Sequence, residues 1–166
     1  MGTKADTGEP MFRKMRRFKQ QVDNETCEEI LRTAARGILS LTGDDGYPYG
    51  IPMNYVFEDG RIYFHCAGTG HKIDAIDASD KACFTVLGEG TRNEGEWWLC
   101  FTSVICFGRI RRVTDNDVRR HTLLELGAKY FPEGYDIEGD IAENWKRVQI
   151  LELTIEHMSG KAVREK

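Results

Sequence analysis

Over residues 47–57 the chain alternates, with Tyr47, Tyr49, Ile51, Met53, Tyr55 and Phe57 on one face of an extended segment and Pro48, Gly50, Pro52, Asn54 and Val56 on the other. The first face is bulky enough to fill a small barrel, and the second is small and flat. Asp59 and Gly60 predict a two-residue hairpin turn, with residues 61–66 returning as the paired strand. Pro48 and Pro52 remove donors from the same edge of the first strand, so that edge is expected to lie open to a ligand or to another subunit.

The flanking segments have their own periods. Asp23 predicts the N-cap of a helix in which Cys27, Ile30, Leu31 and Ala34 recur at helical spacing, with Gly37 ending it. A strand over Gly37–Thr42 turns through residues 43–46 into the central hairpin, and Lys81–Leu87 reads as a continuously apolar strand buried on both faces. Residues 88–95 read as an exposed loop and residues 96–113 as a long strand. Asp115 opens a helix to about Phe131 that Pro132, Glu133 and Gly134 close, Ile137–Asn144 reads as a shorter helix, and residues 148–157 form the last strand, with Leu151, Leu153, Ile155 and His157 on one face. This order predicts a mainly β fold, a six-stranded antiparallel split barrel with flanking helices.

Residues 1–20 read as a flexible arm before a single domain over residues 21–166, with no repeat or composition shift inside it. The arm's basic run, MFRKMRRFKQ, spaces Phe12, Met15 and Phe18 three residues apart, which suits packing onto the barrel with charges toward water better than a nucleic-acid patch. A net charge of −4 also argues against nucleic acid as partner. No apolar run reaches membrane-spanning length and the polar start lacks a signal-peptide core, so a cytoplasmic protein away from membranes is expected. The five cysteines, at 27, 66, 83, 100 and 106, include no CxxC pair and an odd member, which fits reduced thiols rather than disulfides or a metal site. His121 and His157 have no second ligand at metal spacing and read as structural, as Arg109, Arg111 and Arg112 read as a solvated strand end.

The candidate chemistry follows the hairpin. Ala67-Gly68-Thr69-Gly70 leads into His71-Lys72-Ile73-Asp74-Ala75-Ile76, a short helix with Ile73 and Ile76 inward. Cations in a first helical turn oppose the macrodipole at a cost of roughly 0.3 to 1 kcal/mol, and a bound anion reverses that sign. Free N–H groups, glycines that let backbone come close and an adjacent lysine compose a phosphate cradle. The plainer alternative is that Gly68 and Gly70 only turn the chain while Lys72 is solvated.

The stretch GYPYGIPMNYVFEDGRIYFHCAGTGHK resembles the flavin-binding split barrels of the pyridoxamine-phosphate-oxidase superfamily, and is especially similar to their nitroimidazole-resistance branch. The similarity runs over about residues 11–164. It implies FMN as cofactor, its phosphate held at Gly70, His71 and Lys72, its ring lying along Pro52, Met53 and Asn54, and His65, Cys66 and Ala67 contributed by the return strand. Ser103 stands where the oxidase has a flavin-contacting glutamine, and His71 where it has an arginine, which makes the grip sensitive to pH. The C-terminus has no match to the oxidase's substrate-binding tryptophan and arginine, which argues against pyridoxamine phosphate as substrate. The small outer face is too flat to enclose a flavin alone, so a homodimer with flavin at the subunit interface is expected, Trp97 and Trp98 either stacking near the partner's flavin or filling core or interface. The implied activity is an FMN-dependent oxidoreductase passing electrons to a small aromatic molecule, such as a nitro compound. The alternatives are a non-catalytic barrel holding FMN, haem or a deazaflavin, with His65 or His71 as axial ligand in the haem case, and a nucleic-acid-binding barrel, which the charge disfavours.

Overall fold

The structure is a computed structural model that describes residues 12–92 and 94–163. Its elements in chain order are β1 (Gln21–Val22), α1 (Asn24–Thr33), β2 (Gly37–Thr42), β3 (Pro48–Met53), β4 (Val56–Glu58), β5 (Arg61–Ala67), α2 (His71–Ala78), β6 (Lys81–Leu87), β7 (Phe101–Val113), α3 (Asn116–Tyr130), α4 (Ile137–Asn144) and β8 (Val148–Val163). All pairings are antiparallel, in the order β3-β2-β6-β7-β8-β5-β4, with β1 beside the far end of β8. Phe84 of β6 meets Tyr55 edge-on at 4.8 Å and Phe64 of β5 at 5.1 Å, so strands distant on this path converge on one core. The fold is the expected mainly β split barrel with flanking helices, but it has eight strands where six were expected. The extra two are the short β1 and a division of the central strand.

That division is fixed by a contact from α3. Alternation runs from Tyr49 to Met53 and Tyr55, the last two buried, with Tyr47 before it 74% exposed; it then fails, because Val56 is buried as well while Phe57 is only partly covered. At the break the Tyr55 N–H donates to the Tyr130 hydroxyl at 2.9 Å, and that hydroxyl's single proton serves the carbonyl of Ala35 at 2.7 Å or Tyr55 at 2.8 Å. A side chain of α3 thus replaces a rung of the ladder and lets the strand change face. The hairpin beyond it is as expected: Asp59 and Gly60 both have positive φ, 47° and 74°, the pair a type I′ turn requires.

Asp23 caps α1 by accepting from the Thr26 N–H at 2.8 Å, and Cys27 and Leu31 are its buried residues. The helix stops at Thr33 rather than Gly37; Gly37 begins β2 because any Cβ there would run into the Phe84 ring. β6 is buried on one face only, through Ala82, Phe84 and Val86, contrary to the two-faced burial expected from its composition. β7 starts at Phe101, not residue 96, and β8 extends to Val163. Opposite the Phe107/Gly108 junction β8 bulges at Glu156, where a Cβ on Gly108 would collide with the Thr154 carbonyl. The expected arm is described only from Phe12 onward: Phe12 stacks on His157 at 4.6 Å, Met15 is partly covered, and Phe18 is 68% exposed instead of packed. All five cysteines are free thiols, and no described helix is long and apolar enough to cross a membrane.

Candidate functional site

The glycine loop delivers α2 with its start uncovered. Gly70 holds φ 111°, a conformation other residues rarely adopt, and no side chain caps the helix. The first turn closes with the Ile73 and Asp74 N–H groups donating to the Gly70 carbonyl at 2.8 and 3.1 Å. Positions where a Cβ would stand on Gly68 and Gly70 face open space, so the backbone there is accessible to a ligand. Ile73, Ala75 and Ile76 are buried and fix the helix against the barrel.

Beside that start lies a cleft of about 510 Å³ bounded by Pro52, Met53, Asn54, His65, Cys66, Ala67 and Lys72. β3 is the end strand of the sheet, with β2 its partner, which leaves its other edge toward this space. Asn54 Oδ1 accepts from Arg36 Nε at 3.2 Å, so its amide nitrogen is the group left for a ligand. Lys72 has no ion-pair partner among the described residues. The His65 imidazole, though reached by solvent, is crowded by the cleft walls; this desolvation, and next the Lys72 ammonium, lower its pKa, against an opposing pull from Asp140. Burial raises the Cys66 thiol pKa in spite of Lys72 and Arg112 nearby.

Two expected site residues are placed elsewhere. His71 stacks on Tyr49 at 4.1 Å with Nε2 3.6 Å from Asp44 Oδ2, directed at the β2–β3 turn and away from the cleft. Ser103 lies on β7 opposite Leu87 and Lys161 and borders a separate groove under Phe12 and Met15. Trp97 is 78% exposed, and Trp98 meets it edge-on at 5.8 Å.

The structure also changes the reading of residues outside the expected site. The three β7 arginines are ion-paired rather than simply solvated: Arg109 with Asp80 and Glu156, Arg111 with Glu152, Arg112 with Asp77. Arg112 also donates to the Gly68 carbonyl at 3.4 Å, which ties the glycine loop to α2 through Asp77. Its inward parity with Ile110 on β7 was the available signal. The second addition is a chamber of about 530 Å³ beside the cleft, sharing Asn54, His65, Cys66 and Ala67 with it and lined by residues of α3 and α4, to which the sequence reading gave no site residue. His121, in contrast, pairs with Glu58 at 2.9 Å, and His157 lies under Phe12.

An antiparallel split barrel with a glycine loop and an uncapped helix beside an open edge strand defines the class of fold, and comparison with known proteins gives it a family. The pyridoxamine 5'-phosphate oxidase family model matches residues 23–162, and the chain belongs to that family. No curated protein matches the chain. Among solved structures it is similar to a candidate 5-nitroimidazole antibiotic resistance protein from Bacteroides thetaiotaomicron, with 22% identity, 86% of each chain covered and a TM-score of 0.71. The flavocytochrome Anf3 from Azotobacter vinelandii gives 21% identity over 91% of this chain and 72% of that one, with a TM-score of 0.73. An FAD and haem binding protein from Mycobacterium smegmatis gives 18% identity over 88% and 74%, with a TM-score of 0.71. At these identities the likeness is one of fold.

Proposed function

We propose that this chain is an FMN-dependent oxidoreductase acting on small aromatic molecules, nitro compounds among them, and working as a homodimer in the cytoplasm. The observation that carries the reading is Lys72: an unpaired cation beside an uncapped helix start, on the rim of a cleft bordered by an open strand edge. A phosphate there satisfies the free N–H groups, the dipole and the lysine together. Pro52, Met53 and Asn54 offer a flat strand for a ring system, and the Asn54 amide nitrogen offers a donor to a ring carbonyl. Arg112 and Asp77 hold the loop in position. Bound FMN supplies the electron transfer; the chain binds it, orients it and limits water around it.

The dimer rests on the outer sheet face. Across β3, β2, β6 and β7 the register sets Pro52, Ile38, Thr85 and Ile105 in one uncharged row, with Gly50, Ser40, Cys83 and Phe107 in the next. At the β7 end Phe12 lies 5.5 Å from the Phe107 ring and lines a groove with Ile105, while nearer β3 the face is open, with Ile38 39% exposed. Ser103 borders this face, so in a twofold pair it would reach the partner's cleft rather than its own.

A haem-binding barrel is the second reading, favoured by one feature: His65 lines the cleft, where desolvation lowers its pKa and so favours the neutral imidazole that ligates iron. The visible spectrum of the purified protein separates the two. Flavin bands, or their appearance on adding FMN, support the first reading, and a Soret band supports the second. A colourless protein that ignores both cofactors overturns them.

A further inference from the structure

Two features at one end of the sheet serve neither the cleft nor the chamber. The first is a groove of about 570 Å³ between residues 12–18 and the strands β7 and β8. Phe12, Met15 and Ile105 give it an apolar floor, Arg13, Lys14 and Lys161 stand along it, and no acidic side chain lines it. None of these three cations has an ion-pair partner among the described residues. Residues 12–20 hold five cations and no acid, so the groove lies in a field of one sign.

The second feature is the connection between β6 and β7, which the structure closes as a hairpin beyond the two strands. The Gly88 N–H donates to the Thr102 carbonyl at 2.9 Å, and Thr91 and Cys100 exchange both backbone bonds, at 2.7 and 2.8 Å. A Cβ on Gly90 would run into Leu99, so the two arms lie in contact. This hairpin exposes Trp97 and Leu99, with Leu87 exposed at its base. Its charges are Glu89, Glu94 and Glu96 against a single arginine, Arg92. Glu89 and Glu94 are exposed and have no ion-pair partner among the described residues. Large apolar side chains gathered in the open and rimmed by charge mark an interaction surface.

The two features complement each other in sign and in shape, yet within one chain they lead apart. Leu87, Ser103 and Lys161 form one rung across β6, β7 and β8. From that rung the hairpin continues past Thr102 in one direction, and the groove runs through Ile105 and His157 in the other. A second copy, turned about a twofold axis so that its strands run the opposite way, brings its hairpin over the groove. Ile105 belongs both to this groove and to the uncharged rows on which the dimer reading rests, so the two surfaces are continuous.

We propose that the β6–β7 hairpin of each chain docks in the basic groove of a second copy, with Trp97 and Leu99 against Phe12, Met15 and Ile105, and Glu89 and Glu94 toward Arg13, Lys14 and Lys161. The inference rests on the homodimer proposed above and names the surfaces that meet in it. It requires no cofactor, and added salt weakens the contact.

Charge reversal tests it in the full chain. One variant carries Glu89→Lys and Glu94→Lys in the hairpin, a second carries Arg13→Glu and Lys14→Glu in the groove, and a third carries all four changes. All four positions are exposed, so each variant is expected to keep the wild-type circular dichroism spectrum. Sedimentation equilibrium then gives the dimer dissociation constants. The hairpin variant and the groove variant, each alone, are expected to dimerise about tenfold more weakly than wild type or worse, as like charges opposed across an interface imply. Mixed in equal amounts they form a heterodimer in which both contacts again join opposite signs, and its dissociation constant is expected to return to about that of wild type. A hairpin resting on its own chain's groove gives the reverse pattern, with recovery only in the fourfold variant and none in the mixture, and overturns the proposal. A dimer indifferent to every reversal also overturns it while leaving the dimer reading intact. A wild-type chain that sediments as a monomer removes both.

Discussion

Two cations stand against the glycine loop, and only one is neutralised. Arg112 spends its charge on Asp77, while Lys72 faces the cleft without an acidic partner, close enough to depress the His65 imidazole. The His65 shift has a calculable sign. As pH falls through the ordinary value of 6.5, the unfolded chain takes up the proton before the folded one does, so His65 makes the fold progressively less stable toward acid. His65→Asn should flatten the stability curve below about pH 6.5 in urea unfolding measured across pH. Lys72→Ala should raise the His65 pKa in an NMR titration, because it removes the second cause of the shift; an unmoved titration would mean that Lys72 does not act on the cleft. That Pro52 to Asn54, His65 to Ala67 and Lys72 come together followed from the family resemblance and from a turn that sends the chain back past itself, and they bound one cleft. Arg112 was not legible in this way, since its bond to Gly68 spans 44 residues and depends on where the loop lands after folding. His71 shows the converse limit: its adjacency to Lys72 says nothing of direction, and stacking on Tyr49 turns it away.

The elements that position the cleft depend on one hydroxyl. Tyr130 holds the break between β3 and β4, where Asn54 enters the cleft. Tyr130→Phe leaves the Tyr55 N–H and its surroundings without that partner, which should cost roughly 1 to 3 kcal/mol in urea unfolding. FMN affinity should fall with it as Asn54 shifts. Full stability in the variant would mean that the break is set by the strands alone. Period-two reading ran through this point because alternation records which faces are apolar, and the interruption comes from a helix 75 residues away. The same reading found the Asp59-Gly60 turn and the Asp23 and Asp115 caps, since those signals are local. It assigned β6 two buried faces because an uncharged outer face has the composition of a core, whether or not anything covers it.

That uncovered face is the property of the whole molecule with the most direct consequence. Placing a charge within it, as Ile38→Arg on β2, should give a folded monomer by light scattering where the wild type is a dimer, with FMN affinity reduced because Ser103 no longer reaches a neighbouring cleft. A wild-type monomer that binds FMN tightly would overturn the interface. The barrel, its order of elements and the loop before α2 could all be read from the chain; the second chamber could not, because it exists only where α3 and α4 are held off β5. The account as a whole turns on Lys72 gripping a phosphate, and paired titrations of FMN and riboflavin into wild type and Lys72→Ala test it most directly. Loss of one charge-assisted hydrogen bond, roughly 1.5 to 3 kcal/mol, predicts a fall in FMN affinity of about tenfold to a hundredfold. Riboflavin, which lacks the phosphate, should bind wild type and variant alike. If the two flavins lose affinity together, or neither does, Lys72 holds no phosphate and the cradle formed by Gly68, Gly70 and α2 is not the cofactor site.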